Sequence, residues 1–285
     1  MANPNDPSAQ WTLREPGGPL LFGRSWLPEA PARAAVLIVH GLAEHSGRYG
    51  ATAAALVEAG IAVHAVDYRG HGQSEGRRVH VDSIDEYVAD VREVLDGVRD
   101  RHPGRPVFLL GHSQGGLIVL KLALDDPGGL AGIVVTSPFL AVHPRARPSV
   151  FVRAGAAVLR RVAPRLPLPT GIDVSVLSRD PAVGEAYARD PLVSSKASVG
   201  WLDAIARAQG EVMAAAPSLG LPALVMASGG DLLVDPEAIR RFALAAPPER
   251  VELVWWDGYY HEMLNDIGRE RVIERIVRWI TNHQT

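Results

Sequence analysis

One pentapeptide between an apolar run and a helical pattern constrains the fold of this chain most. Residues 107–110 (Val-Phe-Leu-Leu) form a short apolar run that is typical of a buried strand. Residues 111–115 (Gly-His-Ser-Gln-Gly) follow directly, and the apolar spacing after them predicts a helix. A strand, a tight turn and a helix are the context in which a G-x-S-x-G sequence presents a nucleophile. The pattern therefore predicts that Ser113 is a catalytic nucleophile.

The glycines of this pentapeptide fit the predicted turn. Ser113 has to accept a strained backbone conformation so that its hydroxyl stands clear of the chain. A side chain at Gly111 or Gly115 would crowd such a turn. The backbone N–H of Gln114, at the start of the helix, would point at an oxyanion that develops on the substrate. The alternative is a glycine-rich turn that contains a serine by chance, and a base and an acid elsewhere in the chain would argue against it.

The composition limits the classes of protein that this chain can belong to. Of its 285 residues, 47% are hydrophobic and 21% are charged, which is typical of a soluble globular protein with one large core. A net charge of −3 does not indicate nucleic acid or an anionic membrane as a partner. The absence of cysteine excludes disulfides, thiolate metal sites and a cysteine nucleophile. The start of the sequence is polar and proline-rich, unlike a signal peptide, and we expect a cytoplasmic protein without a spanning helix.

Strand-like and helical segments alternate along the chain. Apolar runs predict further strands at residues 11–14, 20–26, 34–39, 61–66, 130–136, 221–227 and 251–256, and helices at about 49–59, 83–101, 236–245 and 269–282. Strands that alternate with helices at this spacing indicate βαβ units. We therefore expect an α/β fold with a mostly parallel central sheet that is flanked by helices.

The alternation stops after Pro138 and resumes near residue 217. Residues 139–216 show no strong strand pattern, and helices are predicted there at residues 148–162 and about 199–215. We therefore divide the chain into a core, residues 1–138 and 217–285, and an inserted helical cap, residues 139–216. An apolar insertion above the carboxyl edge of a parallel sheet favours a lid over a hydrophobic ligand. Ordinary packing of the inserted helices against the core is the alternative.

The order of the remaining candidates fits a serine hydrolase with an α/β fold, in which an acid and then a histidine follow the nucleophile. Asp231 follows two glycines after the strand that succeeds the insertion. Asp235 stands before Pro236, a pattern typical of a helix N-cap, so Asp231 is preferred as the acid. Of the ten histidines, His261 lies in the loop after the last predicted strand and is expected to be the general base.

The second oxyanion donor is expected in the loop that follows the strand at residues 34–39. We predict that the backbone N–H groups of Leu42 and Gln114 form the oxyanion hole and that His40 supports the loop. No metal site is apparent, because Glu44-His45 and His261-Glu262 are adjacent pairs and lack the H-E-x-x-H spacing. A dinucleotide-binding fingerprint is also absent, so no cofactor is expected.

Four segments resemble the monoacylglycerol lipase family of α/β-hydrolases, which carry a helical cap. They are residues 40–49 (His-Gly-Leu-Ala-Glu-His-Ser-Gly-Arg-Tyr), residues 67–76 (Asp-Tyr-Arg-Gly-His-Gly-Gln-Ser-Glu-Gly), residues 111–116 and residues 172–179. The resemblance extends from about Trp11 to the last helix. Lysophospholipase-like relatives in the same superfamily share the segments at residues 40–49 and 67–76. The resemblance implies an α/β-hydrolase fold with a cap insertion.

The same resemblance implies roles for individual residues. It makes Ser113, Asp231 and His261 the catalytic triad and gives Leu42 and Gln114 the oxyanion donors. It also places substrate-binding residues at the glycerol end of the pocket; these are Glu44, Arg48 and Tyr187. The alternative for Glu44 and Arg48 is a mutual ion pair that braces the oxyanion loop. This chain departs from the family at Gln114, where the family usually has methionine, and a polar side chain there can alter the pocket.

The predicted activity is that of a serine carboxylester hydrolase that cleaves monoacylglycerol to a free fatty acid and glycerol through an acyl-enzyme. The alternative within enzymes is a general esterase for short or medium chains, or a lysophospholipase. The alternative from another class is a non-catalytic lipid-binding α/β-hydrolase. A lipid ester is the expected partner, contact of the cap with a membrane or micelle is a hypothesis, and the oligomeric state is left open.

Overall fold

The structure, a computed structural model, describes residues 3–14, 16–146, 159 and 161–284. Its strands are β1 (Ala9–Leu13), β2 (Leu21–Trp26), β3 (Ala34–Val39), β4 (Ile61–Asp67), β5 (Val107–His112), β6 (Gly132–Thr136), β7 (Pro167–Pro169), β8 (Lys196–Ser198), β9 (Ala223–Ser228) and β10 (Val251–Trp256). Its helices are α1 (Gly50–Glu58), α2 (Asp85–Arg101), α3 (Gln114–Asp125), α4 (Pro181–Arg189), α5 (Val199–Ala215), α6 (Pro236–Ala245) and α7 (Arg269–Asn282).

Eight strands form the central sheet, in the order β1-β2-β4-β3-β5-β6-β9-β10. Strands β4, β3, β5, β6, β9 and β10 pair in parallel, whereas β1 and β2 form an antiparallel edge. Strands that are covered by helices on both faces need apolar residues at every position, and β3 (Ala-Ala-Val-Leu-Ile-Val) is buried throughout. The predicted α/β-hydrolase fold with a mostly parallel sheet is therefore confirmed.

Two hydrophobic clusters cover the two faces of the sheet. Helices α2, α3, α5 and α6 pack on one face, where Leu117 and Phe242 are fully buried. Helices α1 and α7 pack on the other face, where Leu56 and Ile276 are fully buried. Each such side chain contributes about 1.5–3 kcal/mol by leaving water. The sheet is thus held rigid on both faces, and its carboxyl edge can carry a site whose geometry is fixed.

The segment between β6 and β9 differs in part from its prediction. Helix α5 is confirmed, but α4 was not predicted, although Asp180 caps it and Pro181 occupies its first turn. Strands β7 and β8 form a short antiparallel ladder. Each has only three residues, which is too few to show an alternating apolar pattern in the sequence. The helix predicted at residues 148–162 lies largely outside the described residues. No helix in the described ranges is long and apolar enough to cross a membrane.

Candidate active site

The predicted turn at Ser113 joins β5 to α3. Ser113 has φ 53° and ψ −117°, a conformation that costs a residue with a side chain about 1–3 kcal/mol. A Cβ atom at Gly111 would lie 2.5 Å from the Gly115 carbonyl oxygen, and one at Gly115 would overlap the Val39 carbonyl oxygen. The Ser113 amide donates to the Thr136 carbonyl at 3.0 Å. The glycines and this hydrogen bond hold the serine in its strained conformation at the carboxyl edge of the sheet.

The structure brings Ser113, His261 and Asp231 together in one hydrogen-bonded line. Nε2 of His261 lies 2.9 Å from Oγ of Ser113, and Nδ1 of His261 lies 2.6 Å from Oδ2 of Asp231. The other carboxylate oxygen of Asp231 accepts hydrogen bonds from the amides of Leu233 and Val234 at 2.8 and 2.9 Å. Because Asp231 accepts the proton on Nδ1, the Nε2 atom that faces Ser113 is free to accept a proton.

Asp235, the alternative acid, has a different position. It is the N-cap of α6, and Oδ1 accepts a hydrogen bond from the Glu237 amide at 3.1 Å. Oδ2 lies 3.3 Å from a terminal nitrogen of Arg241. The cap and Pro236 at the first helical position are as the sequence predicts. Asp231 is therefore the carboxylate that contacts the histidine.

The charges around His261 favour its protonated form. Burial alone would lower the pKa of His261, but the carboxylates of Asp231, Glu262 and Glu44 outweigh burial and raise the pKa above its ordinary value. The ring of His112 lies nearby, with 5.0 Å between the two ring centroids. Burial, with the neighbouring His261, lowers the pKa of His112 to about 4, so His112 stays neutral. A base with a raised pKa is well placed to hold a proton during a reaction near neutral pH.

The two residues predicted to supply the oxyanion donors, Leu42 and Gln114, both lie near the nucleophile. A Cβ atom at Gly41 would lie 3.4 Å from Cβ of Ser113, so the loop after β3 passes directly beside the serine. Leu42 follows Gly41 and lines the same cavity as Ser113. Gln114 is the first residue of α3, where a backbone N–H has no acceptor within the helix. Both residues therefore lie near the nucleophile, and their amides stay the predicted oxyanion donors.

Glu44 braces the loop that carries Leu42. Its Oε1 atom accepts hydrogen bonds from the Gly41 amide at 2.6 Å and from the Tyr49 hydroxyl at 2.7 Å, and Oε2 binds Arg48. Burial alone would raise the pKa of Glu44, but the Arg48 guanidinium first, and then the neighbouring imidazole rings and the hydrogen bond from Tyr49, lower it to about 2. Glu44 therefore makes the contacts of the bracing ion pair that the sequence left as an alternative. It also lines the cavity.

Arg48 has a second carboxylate partner that the sequence did not predict. Its Nη1 and Nη2 atoms donate to the two carboxylate oxygens of Glu262 at 2.8 and 2.7 Å. Arg48 also lies over the ring of Tyr187, 4.9 Å from the ring centroid. Glu262 is buried and directly follows His261. The only sign of Glu262 in the sequence is that an acidic residue stands next to His261, the candidate base.

A cavity of about 340 Å³ opens beside Ser113 and His261. Its apolar lining includes Leu42, Phe139, Val142, Ile172, Leu177, Leu202, Leu233 and Val234. Its polar lining includes Glu44, His112, Tyr187 and Glu262. The Tyr187 hydroxyl lies 3.5 Å from the Leu42 carbonyl oxygen, and burial raises the pKa of Tyr187, so this hydroxyl stays protonated. Glu44, Glu262 and Tyr187 each contact Arg48, so these polar groups are gathered in one place. The cavity can therefore hold a molecule that is largely apolar and carries hydroxyl groups at one end.

A nucleophile, a base, an oriented acid and two amide donors are what acyl transfer through a covalent intermediate requires. Within the described residues, no group of three or more histidine, aspartate or glutamate side chains could hold a metal ion.

Comparisons with known proteins agree with this chemistry. The family model described as "Serine aminopeptidase, S33" matches residues 30–268. Monoacylglycerol lipase of Mycolicibacterium smegmatis is 34% identical over 268 residues, 94% of this chain and 95% of the relative. Monoglyceride lipase of Homo sapiens is 35% identical over 271 residues, 93% of this chain and 88% of the relative. Among solved structures, Paleococcus ferrophilus monoacylglycerol lipase superposes with a TM-score of 0.83 at 33% identity, covering 92% and 99% of the two chains.

Proposed function

The chain belongs to the monoacylglycerol lipase family of serine hydrolases, and we propose that it cleaves monoacylglycerols to a free fatty acid and glycerol. The observation that carries this proposal is the line of hydrogen bonds from Asp231 through His261 to Ser113, at the wall of a cavity with an apolar lining and a polar end. An ester with one long acyl chain and a small hydroxylated head group matches this cavity, because the acyl chain is apolar and the head group is polar.

Acylation begins when Oγ of Ser113 attacks the ester carbonyl. Nε2 of His261 takes the proton of Ser113, and Asp231 holds the Nδ1 proton and stabilises the imidazolium that forms. The carbonyl oxygen becomes an oxyanion and accepts hydrogen bonds from the amides of Leu42 and Gln114. Each such donor typically contributes about 10²–10³ in kcat. His261 then gives its proton to the glycerol oxygen, glycerol leaves, and the acyl group remains on Ser113.

Deacylation repeats these steps with water as the nucleophile. His261 takes a proton from water, the hydroxide attacks the acyl-enzyme, and the same two amides hold the second oxyanion. The proton returns to Oγ of Ser113 as the fatty acid leaves. We further propose that residues 139–216 form the cap over the acyl chain, because Phe139, Trp201 and Leu202 of this segment line the cavity.

The charges at the polar end support a neutral head group. The carboxylates of Glu44 and Glu262 share one guanidinium, that of Arg48, so the three side chains carry a net charge of −1. An anionic phosphate beside them would be repelled, whereas glycerol hydroxyls can hydrogen-bond to carboxylate oxygens and to the Tyr187 hydroxyl. This supports a glycerol ester over the lysophospholipid that the sequence left as an alternative.

We also propose that the segment of residues 139–216 touches lipid surfaces through its exposed apolar side chains. Leu202 lines the cavity and is 41% exposed, and Val162 and Leu166 are 73% and 40% exposed. Exposed apolar residues of this kind favour contact with a micelle or bilayer that holds the substrate. Co-sedimentation with phosphatidylcholine liposomes that contain monoolein tests this contact. Binding that persists in a Val162→Asp, Leu166→Asp variant would contradict it.

Fatty-acid release from monoacylglycerols of graded chain length tests the proposed function. Matched diacylglycerols, lysophospholipids, p-nitrophenyl esters and an aminoacyl p-nitroanilide are measured in parallel. We expect monoacylglycerols to be preferred and Ser113→Ala to lower kcat on the order of 10⁶-fold. Rapid turnover of p-nitrophenyl esters with slow turnover of monoacylglycerol would reassign the protein as a general esterase. Turnover of the anilide alone would make it a peptidase.

A further inference from the structure

The side chain of Gln114 is fully buried, and both ends of its amide are hydrogen-bonded. Nε1 of Trp201 donates to Oε1 of Gln114 at 2.6 Å. Nε2 of Gln114 donates to the Tyr68 hydroxyl oxygen at 2.9 Å. Because an indole N–H can only donate, the amide has one orientation that satisfies both bonds. The side chain therefore links Trp201, on helix α5 of residues 139–216, to Tyr68, which follows β4.

Tyr68 continues this chain of hydrogen bonds to the loop that carries Leu42. Its hydroxyl donates to the Gly41 carbonyl oxygen at 2.9 Å, and Nδ1 of His40 lies 2.8 Å from the same oxygen. The carbonyl of Gly41 and the N–H of Leu42 belong to one planar trans peptide group, so they point in opposite directions. A partner that fixes the Gly41 carbonyl on one side therefore aims the Leu42 N–H on the other.

The hydrogen bonds run in one direction, from Trp201 to Gln114 to Tyr68 to Gly41. Hydrogen bonds aligned in this way polarise one another in a buried environment. Gln114 is also the residue whose own backbone N–H is the other proposed oxyanion donor. Gln114 thus supplies one proposed donor, its own backbone N–H. Its side chain is connected through Tyr68 to the peptide group that carries the other proposed donor, the Leu42 N–H.

From this geometry we infer that the Gln114 side chain is a positioning residue, which couples the placement of helix α5 to the aim of both oxyanion amides. The inference rests on the proposed function, since it requires an oxyanion hole at Leu42 and Gln114. It makes acylation depend on residues 139–216 even for an ester too short to contact them. A side chain that only filled space at this position would leave the oxyanion hole independent of Trp201.

The test compares Gln114→Met, Trp201→Phe and the double variant. Methionine keeps the length of glutamine without the amide, and phenylalanine keeps an aromatic ring without the N–H. Two measurements are made on each variant. The first is the rate of Ser113-dependent labelling by a small alkyl fluorophosphonate, and the second is kcat and KM with p-nitrophenyl butyrate. We expect each single variant to lower labelling and kcat about tenfold, a part of what loss of a whole oxyanion donor costs, with KM within about twofold of wild type.

Two further readouts separate positioning from a general structural effect. The double variant should be no slower than the slower single variant, because both changes break the same link. The pH at which kcat/KM falls on the acid side should not move, because the contacts of His261 are unchanged. The matched control is Gln209→Met, on the same helix as Trp201, α5. This change removes a side-chain hydrogen bond to the Phe139 carbonyl, and the variant should be labelled at the wild-type rate. Thermal unfolding identifies any variant that fails to fold.

Wild-type labelling in both single variants, or losses that add in the double variant, would overturn the inference. If neither single variant folds, wild-type labelling in a folded Tyr68→Phe variant would overturn it, and a similar loss there would support it. Labelling of wild-type Ser113 without turnover of monoacylglycerol would reject the proposed substrate, while the labelling rates of the variants would still decide the inference. Absence of any labelling of wild-type Ser113 would overturn both.

Discussion

Arg48 binds both carboxylate oxygens of Glu262, a residue 214 positions away along the chain that directly follows His261. Arg48 is also bound by Glu44, whose other oxygen holds the Gly41 amide. The loop that carries the proposed general base and the loop that carries a proposed oxyanion donor are therefore joined through one guanidinium. A bidentate Arg–carboxylate pair fixes direction as well as distance, so the base and the oxyanion hole keep a set separation.

Loss of the Glu262 charge is expected to shift the pH dependence of the reaction. Glu262 is among the carboxylates that raise the pKa of His261, and His261 must be neutral to accept the proton of Ser113. Activity should therefore rise with pH through a pKa above about 6.5, the ordinary value for histidine. In Glu262→Gln the pKa falls, so the acid limb of kcat/KM should move to lower pH and the variant should retain a larger fraction of its plateau activity at pH 6.

The control for this experiment is Glu249→Gln, which makes the same chemical change at an exposed position. Its pH profile should coincide with that of wild type. An acid limb that moves to higher pH in Glu262→Gln, or that does not move while the variant remains folded, would show that Glu262 does not set the pKa of the base.

Asp231 and Asp235 are expected to respond differently to the same substitution. Asp231→Asn removes the carboxylate that orients His261 and should lower kcat roughly 10⁴-fold with little change in KM. Asp235→Asn keeps a side chain that can cap α6, so kcat should stay within about twofold, and Asp235→Ala should cost about 0.5–2 kcal/mol of unfolding free energy. Steady-state kinetics and urea unfolding measure the two effects. A severe loss of kcat in Asp235→Asn with a mild one in Asp231→Asn would reverse the assignment.

Substitution of Gly115 by alanine tests whether the turn at Ser113 has room for a side chain, and the same substitution at Gly97 is its control. A Cβ atom at Gly115 would overlap the Val39 carbonyl oxygen, so Gly115→Ala must displace β3 or α3 and should destabilise the protein by about 1–3 kcal/mol or more. Gly97 lies within α2 with open space around it, so Gly97→Ala should stabilise by about 0.5–1 kcal/mol. Thermal unfolding of both variants measures these changes. Equal stability of Gly115→Ala and wild type would mean that this turn has room for a side chain.

The parts of the fold and site that could be predicted from the sequence are those with local signals. The turn at Ser113 has an apolar strand before it and a helix after it, and Asp235-Pro236 marks a helix start by side-chain and backbone chemistry within two residues. The same kind of signal stands at Asp180-Pro181, where α4 begins, although the apolar spacing there does not predict a helix. The triad could be assembled because the order of these loops is fixed by the sheet.

The contacts that could not be predicted join residues far apart in sequence. Glu262 meets Arg48 only because the segments that carry them converge in the fold. Gln114, at the start of α3, meets Trp201, on α5, across 87 positions only because these two helices pack together. An acidic residue beside a histidine, or a glutamine after a nucleophile, has no partner that spacing alone can identify. The hydrogen bonds of Glu44 to the Gly41 amide and to Arg48 likewise depend on how the chain folds around it, and spacing alone does not reveal them.

The net charge at the polar end of the cavity should decide between neutral and anionic head groups. At an effective dielectric constant of about 20, one unit charge about 8 Å from a phosphate contributes roughly 2 kcal/mol of repulsion. Glu262→Gln removes one negative charge from the group formed with Glu44 and Arg48. The ratio of kcat/KM for lysophosphatidylglycerol to that for a monoacylglycerol with the same acyl chain should therefore rise about tenfold or more in this variant. Because a change in the pKa of His261 affects both substrates alike, it cancels from the ratio. A ratio that stays at the wild-type value, or a wild-type enzyme that already prefers the anionic substrate, would show that these carboxylates do not select the head group.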